Sequence, residues 1–255
     1  MTKDTLRVEV HPTRDAMGAA AATEVAGELR RRLGADPEAT VRMVFAAAPS
    51  QQDMLDRLVV EEGIDWSRVT AFHMDEYIGL APDAPQRFGR WLEAAIFGRV
   101  GLGAVHLIEP GTDPEAAARE YAELLGAAPI DLVCLGIGEN GHIAFNDPPD
   151  ADLHDPELVR VVRLDEQSRV QQVEDGLFAS VDDVPTHAVT LTIPALLSAD
   201  RLVCVVPGER KREAVRRTLT EPVGPQCPAT ALRTHHACTL YLDADSAPSD
   251  LEATP

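Results

Sequence analysis

Short apolar runs alternate with helical patterns along almost the whole chain. Positions 41–46 (VRMVFA) form one such run, followed by Pro49-Ser50 and then the helical pattern QQDMLDRLVVEEG. Positions 68–73 predict a second strand, and 105–108 a short one between helical segments near 86–97 and 114–125. The run 130–137 (IDLVCLGI) is nearly all apolar, as expected for a central parallel strand covered on both faces. Runs at 189–193, 202–206 and 238–242 complete the set. Strands separated by helices predict an α/β fold: a single-domain, doubly wound, mostly parallel sheet with helices on both faces. In such sheets ligands bind beyond the carboxyl ends of the strands, which is where chemistry is to be sought. Residues 147–183 are polar and less periodic, and read as a lid or excursion from one domain spanning 1–255. The tail after Ala247 reads as frayed, and no internal repeat stands out.

Composition adds little to that picture, but charge adds more. Aromatic residues make up only 4% of the chain, so Ala, Val and Leu must fill the core. A net charge of −19 and no Lys/Arg stripe argue against a nucleic-acid partner. The basic cluster Arg30-Arg31-Arg32 falls where a helix is expected to end before Gly34, and suits the helix dipole better than a phosphate backbone. An acidic protein that binds a small anion must supply local donors at the site. Cys134, Cys204, Cys227 and Cys238 have no C-x-x-C spacing, and the first two fall in apolar runs as small core residues. The polar start MTKDTLRVEV does not read as a signal peptide, and no apolar run of about 18 residues could span a bilayer. A cytoplasmic protein without a membrane partner is expected.

Three segments carry candidate chemistry. Asp75-Glu76-Tyr77 follows an apolar strand, and a carboxylate held there in a dry crevice gains proton affinity suited to a general base. The plainer reading is an N-capping Asp beside a solvated Glu. Gly136-Ile137-Gly138-Glu139-Asn140-Gly141-His142 ends the 130–137 strand in glycines, so the backbone turns tightly and admits a ligand. His142 follows with Asn140 and Asp147 as polar partners, the arrangement of an oriented acid/base. These glycines do not match G-x-G-x-x-G in a first βα unit, which excludes a dinucleotide site. Val206-Pro207-Gly208-Glu209-Arg210-Lys211 turns from strand to helix and offers donors to an anion. Only two of the 23 cationic side chains are lysines, Lys3 and Lys211; an interior Lys retained among arginines suggests a site that wants a compact ammonium. No H-E-x-x-H or G-x-S-x-G motif occurs, and His187 and His235 read as structural.

Together the three segments resemble the glucosamine-6-phosphate deaminase (isomerase) family, which shares its fold with 6-phosphogluconolactonases. The likeness is colinear from about Val41 to Ala247. His73-Met74-Asp75-Glu76-Tyr77-Ile78-Gly79-Leu80 is similar to the deaminases' Met-Asp-Glu-Tyr-Val-Gly-Leu motif. The stretch from Gly138 to Pro148 is similar to their Gly-His-Ile-Ala-Phe-Asn-Glu-Pro motif. Lactonases carry Asp-Glu-Arg and Gly-His-Thr-Ala-Ser-Leu-Phe instead, and Tyr77, Ile143, Phe145 and Asn146 side with the deaminases.

The resemblance implies an aldose–ketose isomerisation coupled to loss of ammonia from a sugar phosphate, with no metal or organic cofactor. The classes it implies are isomerase and hydrolase, in amino-sugar and carbohydrate metabolism. Asp75 would move the proton between C2 and C1. His142 would open the pyranose ring, assisted by Asn140 and Asp147. Substrate would be held by Ala47, Ala48, Ser50, Glu76, Gly138, Gly141 and Lys211, the last on the phosphate. A homo-oligomer is compatible with the family.

Three departures bear on the substrate. Asp147 replaces a Glu and is one methylene shorter, so it needs a closer backbone to reach His142. The usual Thr-Gly-Gly-Thr/Ser-Pro phosphate loop is here Ala46-Ala47-Ala48-Pro49-Ser50. The family's phosphate-binding Arg has no counterpart in Val173-Glu174-Asp175-Gly176-Leu177-Phe178, where two acids would repel an anion. Arg169 and Arg233 are the candidate substitutes. The alternatives are a lactonase or an isomerase of another sugar phosphate, and a non-catalytic sugar-phosphate sensor. Such sensors come with a helix-turn-helix, for which the stretch before Val41 leaves no room.

Overall fold

The structure is a computed structural model that describes residues 5–249 and 251. Among the described residues ten strands run in chain order: β1 Arg7–His11, β2 Val41–Phe45, β3 Val69–His73, β4 Asp75–Tyr77, β5 Ala104–His106, β6 Leu132–Leu135, β7 Val159–Arg163, β8 His187–Leu191, β9 Arg201–Val206 and β10 Cys238–Asp243. The α-helices are α1 Arg14–Ala35, α2 Gln52–Leu58, α3 Phe88–Leu92, α4 Pro114–Gly126, α5 Glu166–Glu174, α6 Ile193–Leu197 and α7 Arg212–Thr220.

Seven strands form one sheet in the order β1-β10-β9-β6-β2-β3-β5, with every pairing parallel. The apolar runs behave as the pattern predicts. Val133 and Leu135 of β6 enter one core cluster, while Leu132 and Cys134 enter the other, so both faces of the strand are covered. Helix α1 starts where the Thr13 hydroxyl accepts the Ala16 N–H at 3.1 Å, and its Met17, Ala21, Val25 and Leu29 are fully buried. From β2 the chain winds outward through β3 to β5. It then returns to β6 and winds the other way through β9 to β10. The reversal leaves a topological switch point between β2 and β6.

A second, three-stranded sheet, β4-β8-β7, is antiparallel. Met74 joins the two sheets: its N–H donates to the Phe45 carbonyl at 3.2 Å, and its carbonyl accepts the Leu191 N–H at 2.8 Å. The 189–193 run therefore does not join the parallel sheet, as expected, but pairs antiparallel with β4 and β7 and passes into α6 at Ile193. An apolar run buried on both faces does not record the direction of its partners. Edge strand β1 was not anticipated, because its residues alternate polar and apolar with only Val10 buried. The polar segment 147–183 contains β7 and α5.

Helix α1 runs one residue past Gly34, and each member of the basic cluster has an acid partner. Arg30 pairs with Glu61, Arg31 with Glu28, and Arg32 with Glu28, Asp131 and Asp200. Among the described residues no helix is long and apolar enough to cross a membrane. Lys3, Asp250 and residues 252–255 of the tail lie outside the described residues; within the tail, the Leu251 N–H donates to the Pro248 carbonyl.

Candidate active site

A crevice open to solvent lies at the switch point. The ends of β2, β3, β6 and β9 bring Ala47, Ala48, Ser50, Asp75, Gly138, His142 and Lys211 to it, and α5 adds Gln171 and Gln172, with Asp175 just past its end.

The glycine turn exists to seat an imidazole. A Cβ at Gly138 would lie 2.2–2.4 Å from the His142 ring atoms, so only glycine leaves room for the ring. The Gly141 N–H donates to the Gly138 carbonyl at 3.0 Å, and Gly141 closes the turn at φ +90°, where a side chain would be strained. Asn140 Oδ1 accepts the His142 backbone N–H at 3.0 Å. His142 Nδ1 lies 3.1 Å from Asp147 Oδ1 and 2.8 Å from Ser168 Oγ. The shorter Asp147 side chain therefore does reach its histidine. Ser168 donates a very short hydrogen bond to Asp147 Oδ1, which also accepts from Asn140 Nδ2 at 3.0 Å. Because the Ser168 proton goes to the carboxylate, its oxygen must accept from the ring. The proton of a neutral His142 thus sits on Nδ1, and the Nε2 lone pair is free, with no partner among the described residues.

Burial alone would raise the Asp147 pKa, but its bonds to His142, Ser168 and Asn140 outweigh this and hold the carboxyl well below the usual range. Asp147 is therefore a fixed negative charge able to stabilise an imidazolium. It touches the back of the ring and, like Asn140, is absent from the crevice wall. Sequence reasoning missed Ser168. It arrives 26 residues after His142 on α5, is 1% exposed, and has no local motif to mark it.

Asp75 and Glu76, adjacent in sequence, have opposite surroundings. Asp75 lines the crevice and accepts no hydrogen bond from any described group. Burial, and then the nearby Glu76 and Asp147 charges, push its pKa well above the ordinary carboxylate value. Glu76 points the other way along the pleat and is fully buried. Its oxygens accept the N–H groups of Tyr77 at 3.0 Å and of Phe88 and Gly89 at 3.1 Å, the latter two at the start of α3, and Arg87 Nε lies 3.5 Å away. Burial raises its pKa while these bonds and Arg87 oppose the rise. The structure thus removes Glu76 from the expected substrate contacts and makes it a strut for α3. Gly141 leaves the same group, because it packs against Cys227 and does not line the crevice.

At the far end of the crevice stands Lys211, 7% exposed, with no hydrogen-bond acceptor for its ammonium among the described residues. Burial lowers its pKa to about 8, opposed by the charges of Glu139 and Asp175. The amides of Ala47, Ala48 and Ser50 have no acceptor among the described residues, and Ser50 lies within the Pro49–Gln51 turn that leads into α2. Alanines thus still present their N–H groups, since the φ of Ala48 (−156°) is extended and needs no glycine. Glu174 and Asp175, expected to repel an anion, are instead paired with Arg210, Glu174 at 2.8 Å. Neither proposed substitute for the missing Arg reaches the crevice. Arg169 donates to the carbonyls of Val181 and Val184, and Arg233 to those of Thr218 and Glu221.

An oriented imidazole and an unpartnered carboxyl at one end, with free donors and one ammonium at the other, define an acid/base enzyme with an anion-accepting pocket. Residues 12–241 match the family described as glucosamine-6-phosphate isomerases/6-phosphogluconolactonase, and the chain belongs to that family. It is 38% identical over 191 residues to a glucosamine-6-phosphate deaminase of an Exiguobacterium species, covering 73% of this chain and 72% of that one. To the glucosamine-6-phosphate deaminase of Rhodopirellula baltica it is 33% identical, with 95% of each chain covered. A solved monomeric glucosamine-6-phosphate deaminase superposes with TM-score 0.85 at 27% identity, covering 94% of this chain and 98% of that one. The 6-phosphogluconolactonase of Leishmania guyanensis (TM-score 0.78, 20% identity, 96% and 99% covered) shares the fold. These names correct one expectation: the relatives are isomerase/deaminases, so the hydrolase class drops out, fitting only the lactonase neighbours.

Proposed function

We propose that this protein converts glucosamine 6-phosphate, or a close epimer, to the ketose 6-phosphate with release of ammonia. The observation that carries the reading is the joint placement of His142, Asp75 and Lys211 on one crevice wall. The phosphate takes the Lys211 ammonium, the Ser50 hydroxyl and the amides of Ala47, Ala48 and Ser50, an anion site of one charge and several neutral donors. Ring opening needs a proton removed from the anomeric hydroxyl and one returned to the ring oxygen. His142 Nε2 does both, with Asp147 and Ser168 holding Nδ1–H and stabilising the imidazolium. Asp75 then takes the proton from C2 and returns it to C1 while a proton passes from the amino group to O1, leaving a C2 imine that water splits into ketone and ammonia. Its raised proton affinity makes it a stronger base than an exposed Asp.

Every group in this scheme comes from one chain, so the chemistry needs no second copy. Four buried cysteines, all free, support a cytoplasmic location. A coupled ammonia assay on glucosamine 6-phosphate and galactosamine 6-phosphate, with acid release from 6-phosphogluconolactone followed separately, tests the reading. Ammonia release from the first or second is expected. Turnover of the lactone alone would overturn it, as would Asp75→Asn and His142→Gln variants that match the parent.

A further inference from the structure

The Ser50 hydroxyl is turned towards the crevice when a neighbour on its other side donates to its oxygen, and a residue outside the crevice wall does so. Gln51 is 1% exposed, at the end of the turn that precedes α2. Its amide nitrogen lies 3.1 Å from the Val205 carbonyl of β9 and 3.3 Å from Ser50 Oγ. A carbonyl oxygen only accepts, so the Gln51 atom facing Val205 must be the NH₂ group and not the oxygen. The amide carries two protons. With one on Val205, the other falls to Ser50 Oγ, and the Ser50 hydroxyl must give its own proton to another group. Among the described residues it has no acceptor, and it lines the crevice. The opposite amide orientation would set two oxygens against each other at Val205. The present one is kept even though it leaves Gln51 Oε1 buried without a partner.

Gly136 completes the device. A Cβ there would stand 3.1 Å from Gln51 Nε2 and 3.4 Å from Ser50 Oγ, closer than the amide tolerates without shifting. A side chain at the end of β6 would therefore crowd the amide, the Val205 carbonyl and the Ser50 hydroxyl and force them apart by a few tenths of an ångström.

We propose that Gln51 is a positioning residue for the anion end of the site: anchored on Val205 and admitted by Gly136, it holds the Ser50 hydroxyl as a donor to the substrate's phosphate. The proposal rests on the sugar-phosphate reading above. It accounts for a donor set in a loop that has alanines where relatives' motifs carry glycines.

The test is a double-mutant cycle on Ser50→Ala and Gln51→Met, read as KM and kcat for ammonia release and as affinity for inorganic phosphate by calorimetry. Ser50→Ala is expected to raise KM and the phosphate Kd about tenfold, and Gln51→Met about three- to tenfold, both with smaller changes in kcat. In the Ser50→Ala background, Gln51→Met should then change neither KM nor Kd, because the group it orients is gone. Additive losses, or a Gln51→Met effect confined to thermal stability, would overturn the proposal. Calorimetry with phosphate reads the cycle even if the parent releases no ammonia, so failure of the substrate reading and failure of this inference are told apart.

Discussion

At the acid/base end of the crevice, His142 is held by the side chains of Asn140, Asp147 and Ser168. At the anion end, the Lys211 ammonium and the amides of Ala47, Ala48 and Ser50 have no partner among the described residues. The difference follows from what each end must do. A general base acts through one lone pair in one direction, so its other polar atoms are committed to neighbours. An anion site must keep its donors uncommitted until the ligand arrives, and it bears the cost in an ammonium buried without a counter-ion in contact, whose pKa falls to about 8. Asp75 is the exception at the acid/base end: its carboxyl is buried, unpartnered and raised in proton affinity.

The sharpest break in this comparison comes from the reacting groups. Asp75→Asn and His142→Gln should each lower kcat by about 10²–10⁴-fold, with much smaller effects on KM. Asp75→Asn should also melt at a higher temperature than the parent at pH 7. A carboxyl whose folded pKa is raised opposes folding once the pH exceeds its unfolded value, and the amide removes that opposition. A lower melting temperature by calorimetry would contradict the environment assigned to Asp75.

Next in size is Lys211→Met, for which KM should rise about 10- to 100-fold while kcat moves little. A fall in kcat with unchanged KM would transfer Lys211 to the acid/base end. Ser168→Ala should cost about tenfold in kcat and leave KM near the parent value, because it loosens the ring without touching the anion. Steady-state kinetics on purified variants separate these patterns. The smallest expected effect is in pH. Since burial places the Lys211 pKa near 8, KM should be flat at neutral pH and climb above about pH 8 as the ammonium loses its proton. Lys211→Arg should shift or remove that limb, whatever its absolute KM, and an unaltered limb would assign it to another group.

Much of this was legible in the chain, and the rest was not, for reasons that differ by residue. The continuous apolar runs at β2, β3, β6 and β9 require strands covered on both faces, which determines the sheet class and the edge where ligands bind. The Gly138–His142 segment encodes its own turn, and both its motif and that of Asp75 are local. Direction and partnership are not local. The β8 run reads alike in a parallel or antiparallel setting. Asp75 and Glu76 were indistinguishable until β4 paired with β8 and the pleat sent one into the crevice and the other beneath α3. Ser168, Gln51 and Arg210 acquire their roles from groups 26, 154 and 35 residues away: the His142 ring, the Val205 carbonyl and the Asp175 carboxylate. Sequence by itself determined which strands are buried and where the backbone turns, because period and turn chemistry act over a few residues. The tertiary structure alone decided which donor meets which acceptor, because that depends on which strands and helices become neighbours and in what register.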